Sequence, residues 1–287
     1  MRIVRTIDDV RRALHEPRAR GERIGLVPTM GAFHEGHLAL MRAACEGSDV
    51  VVVSLFVNPS QFNAAEDLAR YPRDEASDAR AAERQGVDLL FAPDASVLYP
   101  EGFATWVEPG ELGSVLEGAA RPGHFRGVAT VCTKLFAIVQ PQVAWFGQKD
   151  AQQVAVIRQV VADLDLPVTI EVLPTVRDVD GLALSSRNVL LSPAERAVAI
   201  ALPRALAAGV AAHDSGADPV AATRRILDAE RGLTVDYVAV ANFDGPTLAA
   251  AIRVGGTRLI DNARLDAPTP APPDASRVDN DMVREDA

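Results

Sequence analysis

The 287-residue sequence predicts an α/β protein, a doubly wound parallel sheet followed by a second, smaller α+β domain. Two observations carry this. Between residues 23 and 173, short apolar runs alternate with amphipathic stretches, the pattern of parallel strands joined by crossover helices. Within that region, residues 49–57 form a nearly continuous run of Val, Leu and Phe, as expected of a strand buried on both faces. Ligands of such sheets bind beyond the carboxyl ends of the strands, so chemistry is sought in the segments that follow them.

In chain order, the strands are expected at 23–28, 49–57, 88–92, 143–146 and 168–173. Helices are expected at 37–46, 75–85 (a surface helix), 129–139 and 152–164. The pattern changes after Pro174. Ser192, Pro193 and Glu195 make a capping box with proline in the first turn, so a long Ala-rich helix should run to about His213. Asp218 and Pro219 start another helix in the same way, and strands follow at 234–241 and 257–264. The predicted division is therefore 1–175, 176–266 and a tail, 267–287. The tail holds four prolines, five acids and two arginines, too little apolar surface to offset the entropy of ordering it.

The formal net charge is −10, which disfavours nonspecific binding to nucleic acid or an anionic membrane. Two cysteines, Cys45 and Cys132, cannot make a disulfide framework and read as reduced core residues of a cytoplasmic protein. No continuous apolar run reaches the length of a membrane span, and the N-terminus lacks the apolar stretch of a secretory signal.

Five stretches carry chemistry. Residues 28–37, PTMGAFHEGH, lie between a strand and a helix, where Gly31 and Gly36 permit close backbone approach and a helix N-terminus favours phosphate. His34 and His37 flank Gly36 and can both face that phosphate, as cations or as hydrogen-bond donors. No Glu or Cys cluster with ligand spacing supports a zinc site there. Residues 56–62, FVNPSQF, follow the buried strand; the Gln61 amide donates and accepts, which suits a hydroxy acid. Residues 66–73 read as a solvated charged segment. Residues 121–128, RPGHFRGV, form a basic, Gly-containing loop that serves as a lid or as a structural turn. Residues 146–153, FGQKDAQQ, again join strand to helix. Lys149 suits a triphosphate, Asp150 a ribose, and Gln153 lies one turn into the helix facing the same place. Finally, Ser185, Ser186 and Arg187 put two hydroxyls and a guanidinium in a row at the domain junction, a phosphate-binding set.

The His-x-Gly-His pattern resembles the nucleotidyl-transferring superfamily. All five stretches in this order, with about 110 residues between His37 and Lys149, resemble the pantothenate synthetase (pantoate–β-alanine ligase) family over residues 1 to 265. The resemblance implies a Rossmann-like N-terminal domain, a smaller C-terminal lid domain and a homodimer. It implies ATP-dependent joining of pantoate to β-alanine through an acyl adenylate, with Mg²⁺. By motif matching, Met30, Gly31, Ala32, Phe33, His34, Glu35, Gly36 and His37 would line the ATP site, with His37 the proton donor and His34 and Lys149 also catalytic. Gly147, Gln148, Lys149, Asp150, Val176, Leu184, Ser185, Ser186 and Arg187 would also bind ATP. Gln61 would contact both pantoate and β-alanine, and Gln153 pantoate. No residue is matched as a resident metal ligand, and Asp78 is at most a candidate for contact with Mg²⁺. Leu184, Gln148 and Phe33 stand where the family commonly has Met, Glu and Leu. A sibling adenylyltransferase that makes a dinucleotide lacks a use for the two amides, Gln61 and Gln153. A purely regulatory nucleotide binder needs fewer converging cations.

Overall fold

The computed structural model describes residues 1–63, 68–69 and 71–266. The predicted tail and residues 64–67 and 70, which include part of the charged segment, lie outside the described residues.

Six parallel strands form one sheet: β1 (Arg2–Val4), β2 (Ile24–Thr29), β3 (Val50–Leu55), β4 (Leu89–Phe91), β5 (Val143–Gly147) and β6 (Thr169–Leu173), in the order β1-β4-β3-β2-β5-β6. Side chains alternate across it. Ile24, Leu26, Val52, Leu89, Phe91, Ala144 and Phe146 face one side. Val27, Val51, Val53 and Leu90 face the other. Both faces are covered, which is why the strands read as apolar runs without alternation. Helices α1 (Ile7–Ala19), α4 (His124–Val139) and α5 (Ala151–Asp163) cover the first face, and α2 (Glu35–Gly47) and α3 (Glu75–Arg84) the second.

Strand order reverses at β2, with β3 and β4 on one side and β5 and β6 on the other. A doubly wound sheet opens its crevice at that point. Here β2 and β5 pair only through Gly25 with Val143 and Leu26 with Ala144, so the later parts of both strands are free to part.

The second unit is a three-stranded antiparallel sheet, β7 (Leu233–Asn242), β8 (Pro246–Val254) and β9 (Thr257–Arg264), in that order. Helices α6 (Pro193–Ala199), α7 (Ala201–Asp214) and α8 (Pro219–Leu227) accompany it. Leu202, Leu206, Leu227, Leu248 and Ile252 form its core. Pro193–Asp214 is apolar enough, by length and composition, to cross a membrane. Its Ala199, Ala201, Leu202, Ala205 and Leu206 are instead buried in this core.

Several expectations are corrected. The long helix after Ser192 is two helices meeting at Ile200. Pro203 has no N–H to donate to the carbonyl of Ala199, so the ladder breaks there. The helix expected from Ala129 begins at His124, which moves His124 and Arg126 out of the loop and onto a helix capped by left-handed Gly123 (φ 81°). Helix α3 is not wholly a surface helix: Asp78 (5% exposed) and Ala82 are buried. Strands β1 and β8 and helix α1 were not foreseen. β8 reads PTLAAAIRV, and its alanines carry no strand preference until they lie between β7 and β9.

Candidate active site

A cavity of about 250 Å³ opens where β2 and β5 part. Its wall begins with the turn after β2. Gly31 (φ 88°) and Ala32 (φ 54°) take left-handed conformations, and a Cβ on Gly31 would sit 2.8 Å from Leu55 and 2.9 Å from Asp78. Asp78 holds this turn. Its Oδ2 accepts from the Ala32 N–H and its Oδ1 from the Phe33 N–H, both at 2.8 Å. Burial raises its pKa, and the two N–H donors oppose that.

Helix α2 then begins with a reciprocal cap. The Gly36 N–H donates to His34 Nδ1 (3.2 Å), and the His34 N–H donates to His37 Nδ1 (3.3 Å). A ring nitrogen that accepts carries no proton, so both imidazoles, when neutral, present Nε2–H as the free donor. Burial is the chief cause that lowers the His37 pKa to about 3, helped by His34. Burial and then Lys149 lower that of His34 to about 4. The rings lie 4.1 Å apart between centroids. The pair therefore offers two neutral donors at neutral pH, which decides between the two readings left open by the sequence.

The turn after β3 brings Gln61, only 6% exposed. Its Oε1 accepts from Asn58 Nδ2 (3.0 Å), and its Nε2 donates to Met30 Sδ (2.9 Å). Asn58 Nδ2 also donates to the Gly127 carbonyl on α4 (3.1 Å). Behind the turn, His124 Nδ1 lies 2.9 Å from the Gln61 carbonyl, and Arg121 Nη2 donates to the same oxygen (3.3 Å).

After β5, the short turn Gln148–Asp150 presents Lys149, whose nearest acid partner is its neighbour Asp150 at 3.6 Å. This turn is held from the second unit. Asn262 on β9 donates to the carbonyls of Gln148 (2.9 Å) and Lys149 (2.8 Å). Gln152 is turned away, with its amide bonded to the backbone at Glu117, Leu112 and Val115, while Gln153 lines the cavity.

Beyond β6, the Leu184 N–H donates to the Val176 carbonyl (3.0 Å), and Arg177 forks onto the buried Asp261 (2.6 and 3.1 Å). That brings Val176, Leu184, Ser185, Ser186 and Arg187 to the cavity edge.

Of the predicted site residues, the cavity wall includes Met30, His34, Gly36, His37, Gln61, Gly147, Lys149, Asp150 and Gln153, besides those five. Gly31, Ala32, Phe33, Glu35 and Gln148 do not line it. Gly31, Ala32 and Phe33 shape the turn; Glu35 pairs with Arg42 outside; the Gln148 side chain faces Asn262. The sequence reading missed Tyr71, whose hydroxyl lies 3.5 Å from Ser186, and the apolar face of α4 formed by Val128, Val131, Cys132 and Leu135. Nothing in the local sequence marks Tyr71. The α4 residues were legible only as core.

The chain is similar to known proteins over nearly its whole length. The sequence profile described as pantoate-beta-alanine ligase matches residues 2–264. A pantothenate synthetase of Rhizorhabdus wittichii is 52% identical over 95% of this chain and all of its own length. One of Heliobacterium modesticaldum is 51% identical over 91% of this chain and 98% of its own. The crystal structure of the Thermus thermophilus enzyme superposes with a TM-score of 0.87 at 46% identity, covering 92% of this chain and 99% of that one. A pantoate-beta-alanine ligase from Francisella tularensis, solved in complex with β,γ-ATP and β-alanine, is 35% identical, with a TM-score of 0.81 over 93% and 99% of the two chains. With such identity over nearly its whole length, the chain belongs to the pantoate–β-alanine ligase family.

Proposed function

We propose that this crevice condenses (R)-pantoate with β-alanine, using ATP and giving pantothenate, AMP and diphosphate through a pantoyl adenylate. The observation that carries the reading is one cavity lined by two amides suited to a hydroxy acid, Gln61 and Gln153, and by the donors His34, His37, Lys149, Ser185, Ser186 and Arg187. In the first step a pantoate carboxylate oxygen bonds to the α-phosphorus, and the bond to diphosphate breaks. Charge grows on the phosphate oxygens. There Nε2–H of His34 and His37, with Lys149 and Arg187, stabilises it by preorganised electrostatics. His37, the proton donor by family resemblance, stays neutral here and presents its Nε2–H to the departing group as a hydrogen-bond donor. In the second step the amine nitrogen bonds to the acyl carbon, AMP leaves, and a proton passes to solvent.

The Francisella relative, with both a nucleotide and β-alanine bound, supports ATP and β-alanine as ligands here. Mg²⁺ fits as a companion of the nucleotide. No group of three His, Cys, Asp or Glu suited to a metal occurs among the described residues, and both Asp78 oxygens already accept backbone N–H bonds. Asp150 is the carboxylate of the cavity wall, and Mg²⁺ typically takes one or two carboxylates with phosphate oxygens and water. When bound, it would neutralise phosphate charge. The same reading takes residues 176–266 as a lid domain and the protein as a cytoplasmic homodimer; the unpaired Cys45 and Cys132 fit a reducing compartment.

The test is product identity. Purified protein with ATP, Mg²⁺, pantoate and β-alanine should release AMP and diphosphate in quantity only when both acids are present. ADP and phosphate would mean attack at the γ-phosphorus and would refute the mechanism.

A further inference from the structure

One cation of the cavity has no place in the reaction as described. Arg121 lines the main cavity and also two smaller ones that share Lys149 and Asp150 with it. Among the described residues it takes part in no ion pair. Glu117, whose charge acts on it, is engaged elsewhere: its oxygens accept from Arg258 at 2.6 Å each and from the Tyr237 hydroxyl at 2.9 Å. Burial, and then Arg187, lowers the Arg121 pKa to about 10, so it remains charged, with no counter-ion in an ion pair among the described residues. A withdrawn, unpaired cation is costly, and a site that keeps one is complementary to an anion.

Its fixed contacts show which way it works. Arg121 Nη1 donates to His124 Nε2 (3.2 Å), and Nη2 donates to the Gln61 carbonyl (3.3 Å). Arginine only donates and a carbonyl only accepts, so His124 must be the Nδ1–H tautomer, donating to Gln61. Burial and Arg121 lower its pKa to about 4, in keeping with that neutral form. These bonds use two of the five guanidinium donors and anchor the group beside Gln61. The remaining donors retain the planar fork that matches a carboxylate.

We infer that Arg121 holds the carboxylate of the amine substrate, β-alanine. The inference rests on the reaction proposed above. Three anionic groups enter that reaction. The triphosphate already has Lys149, Arg187 and the serines. Pantoate's carboxylate loses its charge on becoming the adenylate and needs no lasting counter-ion. The carboxylate of β-alanine keeps its charge from binding to product, and Arg121 stands beside the one residue assigned to both acids. Gripping that end sets how far the amine reaches, which would favour a β- over an α-amino acid.

The experiment separates the half-reactions with Arg121→Gln and Arg121→Lys. For Arg121→Gln the KM for β-alanine should rise roughly 10- to 100-fold, the loss typical of a charge-assisted pair. Pantoate-dependent exchange of diphosphate into ATP should stay within about threefold, which also reports a folded site. Arg121→Lys should fall between. Wild type should prefer β-alanine to 3-aminopropanol, the same amine without a carboxylate, and Arg121→Gln should lose that preference. Exchange falling in parallel with ligation would place Arg121 on the phosphates or reduce it to a prop for Gln61, and overturns the inference. A retained preference overturns it too. If wild type shows no pantoate-dependent exchange, the proposed reaction itself fails, and this inference with it.

Discussion

At the residue scale, three imidazoles are held neutral by burial: His34 and His124 with pKa values lowered to about 4 and His37 to about 3. Their unfolded value is near 6.5. Below that pH the unfolded chain takes protons that the native site refuses, so stability should fall as pH drops from about 6.5 toward 4. In His124→Asn an amide can still donate to the Gln61 carbonyl and accept from Arg121 but does not titrate. Urea unfolding of that variant should lose close to one proton of pH dependence in this window, about 1.4 kcal/mol per pH unit. Parallel curves for variant and wild type would refute the neutral assignment. Asp78 acts differently, because both oxygens accept. In Asp78→Asn one N–H of Ala32 or Phe33 faces an NH₂ instead of an acceptor. Leaving it unsatisfied costs about 1–3 kcal/mol and should lower kcat/KM for ATP by roughly 10- to 100-fold. Unchanged ATP kinetics would mean that the loop holds its shape without this clamp.

At the element scale, the active geometry depends on how closely the 58–61 turn sits on α4. Gly127 makes this possible: a Cβ there would lie 2.5 Å from the Ser60 carbonyl oxygen and 2.8 Å from the Gln61 nitrogen. These are backbone atoms, so the turn itself must move. Gly127→Ala should therefore raise the KM for pantoate more than that for ATP, since Gln61 moves while α2 and the Lys149 turn do not. Equal effects on both substrates would show a general loosening instead. The start of α4 was misread for a related reason. Gly123, Gly127 and Pro122 look like loop composition, yet Gly123 is a helix cap and Gly127 a contact with a neighbouring turn.

At the scale of the whole molecule, two of the connections by which the second unit reaches the site stand out. Asn262 holds the Lys149 turn, and the Glu117–Arg258 pair, 7% and 14% exposed by side chain, ties the helix turn Glu117–Ala120 to β9. Removing one partner of so withdrawn a pair is strongly destabilising locally. A reactive acyl adenylate needs protection from water, and closure of the second unit would supply it. Without β-alanine, diphosphate release should stop near one equivalent of enzyme, and Glu117→Gln should convert that burst into continuous slow release. Continuous release from wild type would contradict a protected intermediate.

The sheet and the strand-to-helix loops were legible in the sequence, because period, capping residues and Gly-containing loops act over a few neighbours; the candidate site residues came from the family resemblance, and most of them meet at one cavity. The strands expected at 23–28 and 49–57, found at 24–29 and 50–55, the cap at Ser192 and the placing of His34 and His37 at one helix start all follow from residues within ten positions of each other. What required the folded chain were contacts between distant segments. Asp78 clamps a turn 45 residues earlier, Asn262 holds a turn 113 residues earlier, and among the described residues Arg121 has no acid partner, Glu117 being taken by Arg258. Burial is likewise a property of the assembled layers: it is the chief cause that keeps the two histidines neutral donors, and it withdraws Arg121 from water. Local composition sets which groups are present, and packing sets their charge, their partners and the direction they face.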